Sequence, residues 1–243
     1  MAATGLGGTG MASAFMPTAE PGVPGPNLPG PNLPSPGLLA LVQWLSPGFP
    51  TGGFAYSHGL EAAVVAGDIS TEAALADWLG DILAHGAGWN DAVLMACALR
   101  GDDMAGLADV ARALAGSAER LRETEEQGAA FARARAEMTG QPVAPLPLPL
   151  AVAQAARGLH LPAAQVIALY LHAFAANLVS AAVRFVPLGQ AAGQRVLAGL
   201  HPLIGALAGR AVASGLADLA QSAFRAEMQS AAHETLEVRI FKT

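Results

Sequence analysis

Residues 161–185 read LPAAQVIALYLHAFAANLVSAAVRF, and no charged residue lies between Arg157 and Arg184. Pro162 suits the first turn of a helix, where its missing N–H costs nothing, and Pro187 stops the helix beyond its other end. A helix of this length could cross a membrane. No basic residues flank it to set an orientation in a membrane, and polar side chains interrupt its apolar run: Gln165, His172, Asn177 and Ser180. We therefore predict a buried core helix.

On both sides of this helix, apolar residues recur at helical spacing. No segment suggests paired strands, so the fold is predicted to be all-α, with one helical domain of roughly eight to ten helices over residues 38–243. Residues 141–149 hold four prolines and are predicted to form an extended connector, and residues 233–243 an extended tail. The other helices are expected at residues 38–45, 60–67, from Ser70 or Thr71 to Leu83, from Asp91, after Asp102 and Asp103, and at 117–138, 191–208 and 215–230.

Residues 1–37 differ in composition from the rest of the chain. They contain eight of the 17 prolines and one charged residue, Glu20. Such a segment lacks the apolar side chains that would offset the entropy of ordering it. The prediction is a disordered Pro/Gly-rich leader, with a partner-capturing arm as the alternative.

The charge of the chain excludes several classes of protein. It has 13 Lys and Arg against 19 Asp and Glu, a formal net charge of -6, and no clustered basic face, so nucleic-acid binding is not expected. The first lysine is Lys242, so no Walker A site can form. Only 13% of the residues are charged and 53% are hydrophobic, which favours a surface covered by other proteins. The single cysteine, Cys97, and the absence of a basic residue before Arg100 predict a cytoplasmic location.

Catalytic and metal-binding patterns are not found in the sequence. The six histidines show no HxH, HxxxH or HExxH spacing, and no nucleophile elbow surrounds Ser57-His58. We predict a non-enzyme with no catalytic residue and no metal or cofactor of its own. Two alternatives are a helical small-molecule enzyme with a pocket near His172, Asn177 and Arg184, and a small membrane protein centred on residues 159–183.

Three segments combine glycine and polar residues unusually densely. Residues 46–61 read SPGFPTGGFAYSHGLE, residues 177–194 read NLVSAAVRFVPLGQAAGQ, and residues 233–243 read HETLEVRIFKT. Glycine and proline in the first segment predict a tight loop that leads into a helix. In the second segment, Asn177, Ser180 and Arg184 fall on one face of the long helix. We call the first of these segments the loop, the second the helix–turn segment and the third the tail.

These three segments together resemble the urease accessory protein family UreF, whose patterns are SPxxPxGxFxYSxGLE, NxxSAAxRxxPLGQxxGQ and HETxxxRxF. The resemblance covers residues 38–243. It implies an all-α protein, generally a homodimer, that performs no chemistry itself. It implies partnership with the UreD/UreH accessory protein and the GTPase UreG, in a complex that loads nickel into apo-urease. Nickel and GTP would then be handled by the partners.

The resemblance also implies which residues bind partners, and the tail is expected to order on the UreD/UreH protein. For the loop and for Arg184, turn architecture and helix capping are the respective structural alternatives. Glu237 stands where many relatives have tyrosine, which predicts altered tail docking. The candidate partner-binding residues are Ser46, Pro47, Gly53, Tyr56, Ser57, Gly59, Glu61, Asn177, Ser180, Arg184, Pro187, Gly189, Gln190, Gln194, His233, Glu234, Thr235, Arg239 and Phe241.

Overall fold

A computed structural model describes residues 34–220 and 222–243. These residues form ten α-helices and no β-strand, which confirms the predicted all-α fold. Single 3-10 turns lie at Gly53–Ala55, Arg157–Leu159 and Leu216–Asp218. The helices are α1 Pro36–Leu45, α2 Leu60–Val65, α3 Glu72–His85, α4 Ala87–Arg100, α5 Met104–Ala113, α6 Ala118–Thr139, α7 Leu148–Ala156, α8 Ala163–Phe185, α9 Gln190–Val212 and α10 Phe224–His233.

Helices α4 and α8 form the centre of the domain. All residues of α4 from Gly88 to Ala98 except Asp91 are buried. Helix α8 packs along α9 and against α4. The uncharged stretch of α8 identified in the sequence therefore supplies one wall of the core, as predicted. Two helical stretches, Glu72–Arg100 and Ala163–Phe185, are long and apolar enough to cross a membrane, but 72% and 50% of their apolar windows are buried inside the fold. This burial favours their interpretation as core helices.

Local capping sets the start of several helices. The side chains of Thr71, Asp103 and Ser117 accept hydrogen bonds from main-chain N–H groups of the first turns of α3, α5 and α6. These bonds satisfy donors that a helix leaves unpaired at its N-terminus. All three helix starts agree with the sequence analysis.

Two predicted helix boundaries are wrong. Helix α4 begins at Ala87 and not at Asp91. Gly86 alone separates it from α3, and no side chain caps its start. The predicted connector 141–149 ends early, because Leu148 and Pro149 already belong to the first turn of α7, a helix that the sequence analysis did not identify.

The predicted helix at residues 215–230 is also wrong in its first half. Main-chain N–H groups of Ser222 and Ala223 donate to the carbonyl of His85 at 2.9 and 3.1 Å. The indole of Trp89 donates to the carbonyl of Asp218 at 2.8 Å. Hydrogen bonds to α3 and α4 thus replace helical ones, and the helix starts only at Phe224.

The predicted leader lies mostly outside the described residues. Its last residues, Pro36 and Gly37, form the first turn of α1, which Ser35 caps by accepting from the N–H of Leu38 at 3.1 Å. The predicted disorder of residues 1–33 stays a prediction.

A close approach of α8 and α9 depends on Gly193. A Cβ atom at this position would lie 2.6 Å from Cγ1 of Val183 and 2.9 Å from Cγ1 of Val179. We expect Gly193→Ala to lower the free energy of unfolding by about 1–3 kcal/mol through overpacking, because β-branched valines are stiff. Chemical denaturation measures this change.

Gly199→Ala on the same helix is the matched control. Nothing lies within 4 Å of its would-be Cβ, so the higher helix propensity of alanine should stabilise the protein by up to about 1 kcal/mol. Equal effects of the two substitutions would contradict the predicted steric role of Gly193.

Candidate functional site

The loop and the tail are joined by main-chain hydrogen bonds. After α10 the tail folds back along the loop, where the N–H of Lys242 donates to the carbonyl of Ala55 at 2.7 Å. The N–H of Ser57 donates to the main-chain oxygen of Thr243 at 3.0 Å, and the N–H of His58 donates to its Oγ1 at 3.1 Å. The tail has no helix beyond His233, but it packs against its own chain rather than projecting as a free arm.

The polar face of α8 holds the loop from the other side. Asn177 Nδ2 donates to the carbonyl of Gly53 at 2.8 Å, and Arg184 Nη2 donates to the carbonyl of Phe54 at 3.0 Å. The Arg184 guanidinium also lies 4.8 Å from the ring centre of Phe241 in the tail, a cation–π distance. Arg184 Nε bonds the carbonyl of Ser180 within its own helix at 3.0 Å. Arg184 therefore contacts all three segments, more than the capping alternative requires.

A buried cluster of charges fixes the root of the tail. His233 Nδ1 lies 2.7 Å from Glu119 Oε2, and His233 Nε2 lies 3.1 Å from Glu61 Oε2. All three residues are at most 2% exposed. Both ring nitrogens lie within hydrogen-bond distance of a carboxylate oxygen, so the imidazole bridges the two acidic side chains. Arg239 Nη1 places a positive charge 2.7 Å from Glu119 Oε1. The two buried carboxylates are thus bonded by an imidazole and a guanidinium, as buried acidic groups require.

Glu61 also binds the backbone of the tail. Its Oε1 accepts from the N–H of Ile240 and its Oε2 from the N–H of Phe241, both at 2.9 Å. The turn that places Glu61 depends on Gly59, which has φ 75° and lies against Ser230, where a Cβ would be 2.7 Å from the main-chain nitrogen. Glycine is therefore required here for both conformation and space.

A second buried polar cluster lies beside the first. Thr243 Oγ1 donates to Glu123 Oε2 at 3.0 Å, and the Arg120 guanidinium pairs with the same carboxylate. His58 Nδ1 is 4.0 Å from Glu123. Burial, helped by the charge of Arg120, lowers the pKa of His58 well below its ordinary value, so this imidazole is neutral. Deeper in the core, Tyr170 donates to Asp91 Oδ2 at 2.7 Å.

Burial raises the pKa of Asp91 from its ordinary 3.8 to about 6, against the opposing hydrogen bond from Tyr170. Between these two values the folded carboxyl keeps its proton while the unfolded one ionises, so its contribution to stability is full below about pH 3.8 and is lost as pH rises to about 6. We expect Asp91→Asn, which does not ionise, to raise the free energy of unfolding at neutral pH by up to about 3 kcal/mol relative to wild type. Urea denaturation across this pH range measures the difference.

Comparison at each pH cancels the contribution of the other titrating groups, including His58. The gain from Asp91→Asn should vanish near pH 4. A gain or loss that does not change with pH would contradict the raised pKa of Asp91.

An apolar groove of about 570 Å³ runs beside the loop, between α1, α6 and α8. Side chains of Val42, Phe49, Leu169 and Phe174 are among those that line it, and Arg120 and Glu123 reach it from the polar cluster. His172 and Asn177 also line this groove, whereas Arg184 is not among its lining residues. The groove therefore does not bring together the three residues that were predicted to line the pocket of a small-molecule enzyme.

The joined loop and tail present apolar side chains outward. Phe54 in the loop is 68% exposed, and Val238 and Ile240 in the tail are 81% and 68% exposed, whereas Phe241 is 5% exposed. The loop, the tail and the polar face of α8 (Asn177, Ser180 and Arg184) together form a surface that we call the composite surface. Exposed apolar side chains on a folded chain are typical of protein docking sites.

Comparison with known proteins identifies the family. The family model described as UreF matches residues 69–201. A protein of Cereibacter sphaeroides named urease accessory protein UreF is 61% identical over 206 residues, which cover 85% of this chain and 98% of the relative. Proteins of the same name from Paracoccus denitrificans and Dinoroseobacter shibae are 52% and 49% identical, over 84% of this chain and 95% and 98% of the relatives. The chain belongs to the UreF family. The resemblance read from the three segments is thereby confirmed.

The structure places the predicted site residues of this UreF family member at three depths. Ten are exposed: Pro47, Ser180, Arg184, Pro187, Gly189, Gln190, Gln194, Glu234, Thr235 and Arg239. Three are half-buried: Ser46, Gly53 and Asn177. Six are buried: Tyr56, Ser57, Gly59, Glu61, His233 and Phe241. Residues of the buried group join loop and tail from within, so a direct contact between them and a partner would first require the tail to move.

Sequence reasoning missed the acidic residues of α6. In the sequence, acidic and basic residues alternate at turn spacing over residues 117–138, which favours a solvated helix face, with a charged partner-binding face as the alternative. Glu119 and Glu123 are instead buried against α10 and the tail, and the more exposed Glu126 accepts from the hydroxyl of Tyr56 and, at 2.9 Å, from Lys242 Nζ. The i, i+4, i+7 spacing of these carboxylates was the available signal, because it puts all three on one helix face.

Proposed function

We propose that this chain is a non-catalytic scaffold in the maturation of urease. It joins the UreD/UreH accessory protein and the GTPase UreG, as a homodimer, in the cytoplasmic complex that inserts nickel into apo-urease. GTP hydrolysis and nickel delivery belong to the partners, and this chain recruits and regulates the GTPase. Membership of the UreF family supports this role.

The observation that carries the proposal is the convergence of the three segments. Segments that are far apart in sequence meet in one composite surface, where their glycines, amides and charged groups hold one another. The donors of Asn177 and Arg184 are engaged by loop carbonyls rather than pointed at a substrate. Such an arrangement suits a surface shaped for protein docking, with Phe54, Val238 and Ile240 as outward apolar anchors.

The direct test is co-purification from cells that express the urease genes with and without this chain. UreD/UreH and UreG should be recovered together only when it is present, and urease should lack nickel when it is absent. Normal urease maturation without the chain would contradict the proposal, as would turnover of a small molecule by the isolated protein.

Replacing Arg184 with alanine removes the link between α8, Phe54 and Phe241. Because a hydrogen bond to a charged group contributes about 1.5–3 kcal/mol, we expect the affinity for partners to fall by about tenfold or more. Nickel content of urease in a reconstituted system should fall accordingly.

Arg195→Ala is the matched control for this substitution. Arg195 forms an exposed ion pair with Glu72 on α3 and bonds neither the loop nor the tail, and exposed pairs contribute little to stability. Nickel loading should therefore stay at the wild-type level. Wild-type loading by Arg184→Ala as well would leave Arg184 with a purely structural role.

A further inference from the structure

His172 on α8 and His201 on α9 form a pair of imidazoles that the composite surface does not use. Their ring centres are 5.4 Å apart and the ring planes are inclined by 44°. His201 is exposed, and His172 is half-buried at the edge of the groove. The 29 positions that separate them in sequence hide this pair from any search for metal-binding spacing.

The ring nitrogens of both histidines are available as ligands. Within residues 34–220 and 222–243, neither imidazole forms a hydrogen bond or ion pair with another group. Neutral imidazole binds metal ions through a ring nitrogen.

The separation of the rings matches that of two imidazoles on one metal ion. Metal–nitrogen bonds of about 2.1 Å at tetrahedral angles place the two ring centres about 5.3 Å apart, and angles near 90° place them about 4.6 Å apart. The observed 5.4 Å lies at the tetrahedral end of this range. Two neighbouring helices therefore hold the ring centres at the separation that chelation of one ion requires.

We propose that His172 and His201 chelate one divalent first-row transition ion, with water in the remaining coordination positions. Imidazole ligands suit Ni²⁺, Cu²⁺ and Zn²⁺ and not the hard ion Mg²⁺. No cluster of three or more His, Cys, Asp or Glu side chains that could hold a metal occurs in the described residues. With two protein ligands the site binds more weakly than a structural metal site and exchanges its ion readily.

The test is calorimetric titration of the isolated full chain, without a polyhistidine tag, with NiCl₂, CuCl₂ or MgCl₂. We expect saturable binding of one Cu²⁺ or Ni²⁺ per chain, tighter for Cu²⁺, and no binding of Mg²⁺. His172→Ala and His201→Ala should each weaken binding by about tenfold or more, since even a group that only orients a metal ligand is worth 10–100-fold in affinity. Electron paramagnetic resonance of the Cu²⁺ form should show two coordinated nitrogens in wild type and one in either variant.

His85→Ala, at an exposed position on α3, is the matched control and should leave binding unchanged. Circular dichroism verifies that each variant is folded. If His172→Ala does not fold, His201→Asn at the exposed position replaces it as the test variant. Absence of saturable binding by wild type would overturn the proposal, as would wild-type affinity in the His172→Ala and His201→Ala variants. This outcome is independent of partner recruitment, because no partner is present in the titration.

Discussion

Replacing His233 with alanine should lower the free energy of unfolding by about 3–5 kcal/mol. The substitution leaves the buried carboxylates of Glu61 and Glu119 without the imidazole that lies between them, and removal of one partner from a buried salt-bridge cluster carries a cost of this size. The helix itself should tolerate alanine well. Urea denaturation monitored by circular dichroism, near neutral pH, measures the change.

Two further variants separate charge from packing in this cluster. His85→Ala removes an exposed histidine and should change stability by less than about 0.5 kcal/mol. The triple variant His233→Leu, Glu61→Leu and Glu119→Leu removes the uncompensated charges and should recover part of the lost stability, since apolar residues can replace a buried ionic group. A loss below about 1 kcal/mol for His233→Ala would show that the carboxylates are hydrated rather than buried.

Deletion of residues 235–243 should abolish co-purification with the UreD/UreH protein while preserving helical content and dimerisation. The deletion removes no residue of a helix, and it leaves His233 between Glu61 and Glu119. It does remove the exposed Val238 and Ile240 and uncovers Glu61, Ser57 and Glu123. Pull-down with the partner, alongside size-exclusion chromatography with light scattering, measures both parts of the expectation.

A double substitution, Val238→Asp with Ile240→Asp, refines this deletion. Both side chains point outward, so the internal bonds from the tail to Glu61 should persist while the apolar contact with a partner is lost. We expect it to weaken partner binding by about tenfold or more, the usual consequence of losing apolar anchors at a docking site. Loss of the fold on deletion, or undiminished binding by the double variant, would contradict a direct docking role of the tail.

Much of the fold follows from local patterns in the sequence. The helix starts at Ser70 or Thr71 and after Asp102 and Asp103 could be predicted because a capping side chain and the N–H groups it binds lie within one turn of each other. The uncharged α8 was predicted because its length and its prolines are local signals too. The sequence does not predict that the three segments meet in space, although all three resemble motifs of one family.

The missed features depend on contacts between distant residues. The backbone at residues 218–223 is held by the side chains and carbonyls of α3 and α4, which no pattern within residues 215–230 reveals. Glu119 could be assigned to a buried cluster only with knowledge of its partners His233 and Arg239, more than 100 positions away. A carboxylate on a charged helix is most often hydrated, so its sequence context alone favoured the wrong environment.

The hydrogen bonds from the N–H groups of Ile240 and Phe241 to Glu61 make the position of the tail measurable by hydrogen exchange. Amide protons in an irregular segment normally exchange with deuterium quickly, whereas these two are bonded to a buried carboxylate and should exchange slowly. Deuterium uptake at these positions therefore reports whether the tail is seated or released. The same signal, followed while the accessory complex assembles, would time any release of the tail against the arrival of each protein.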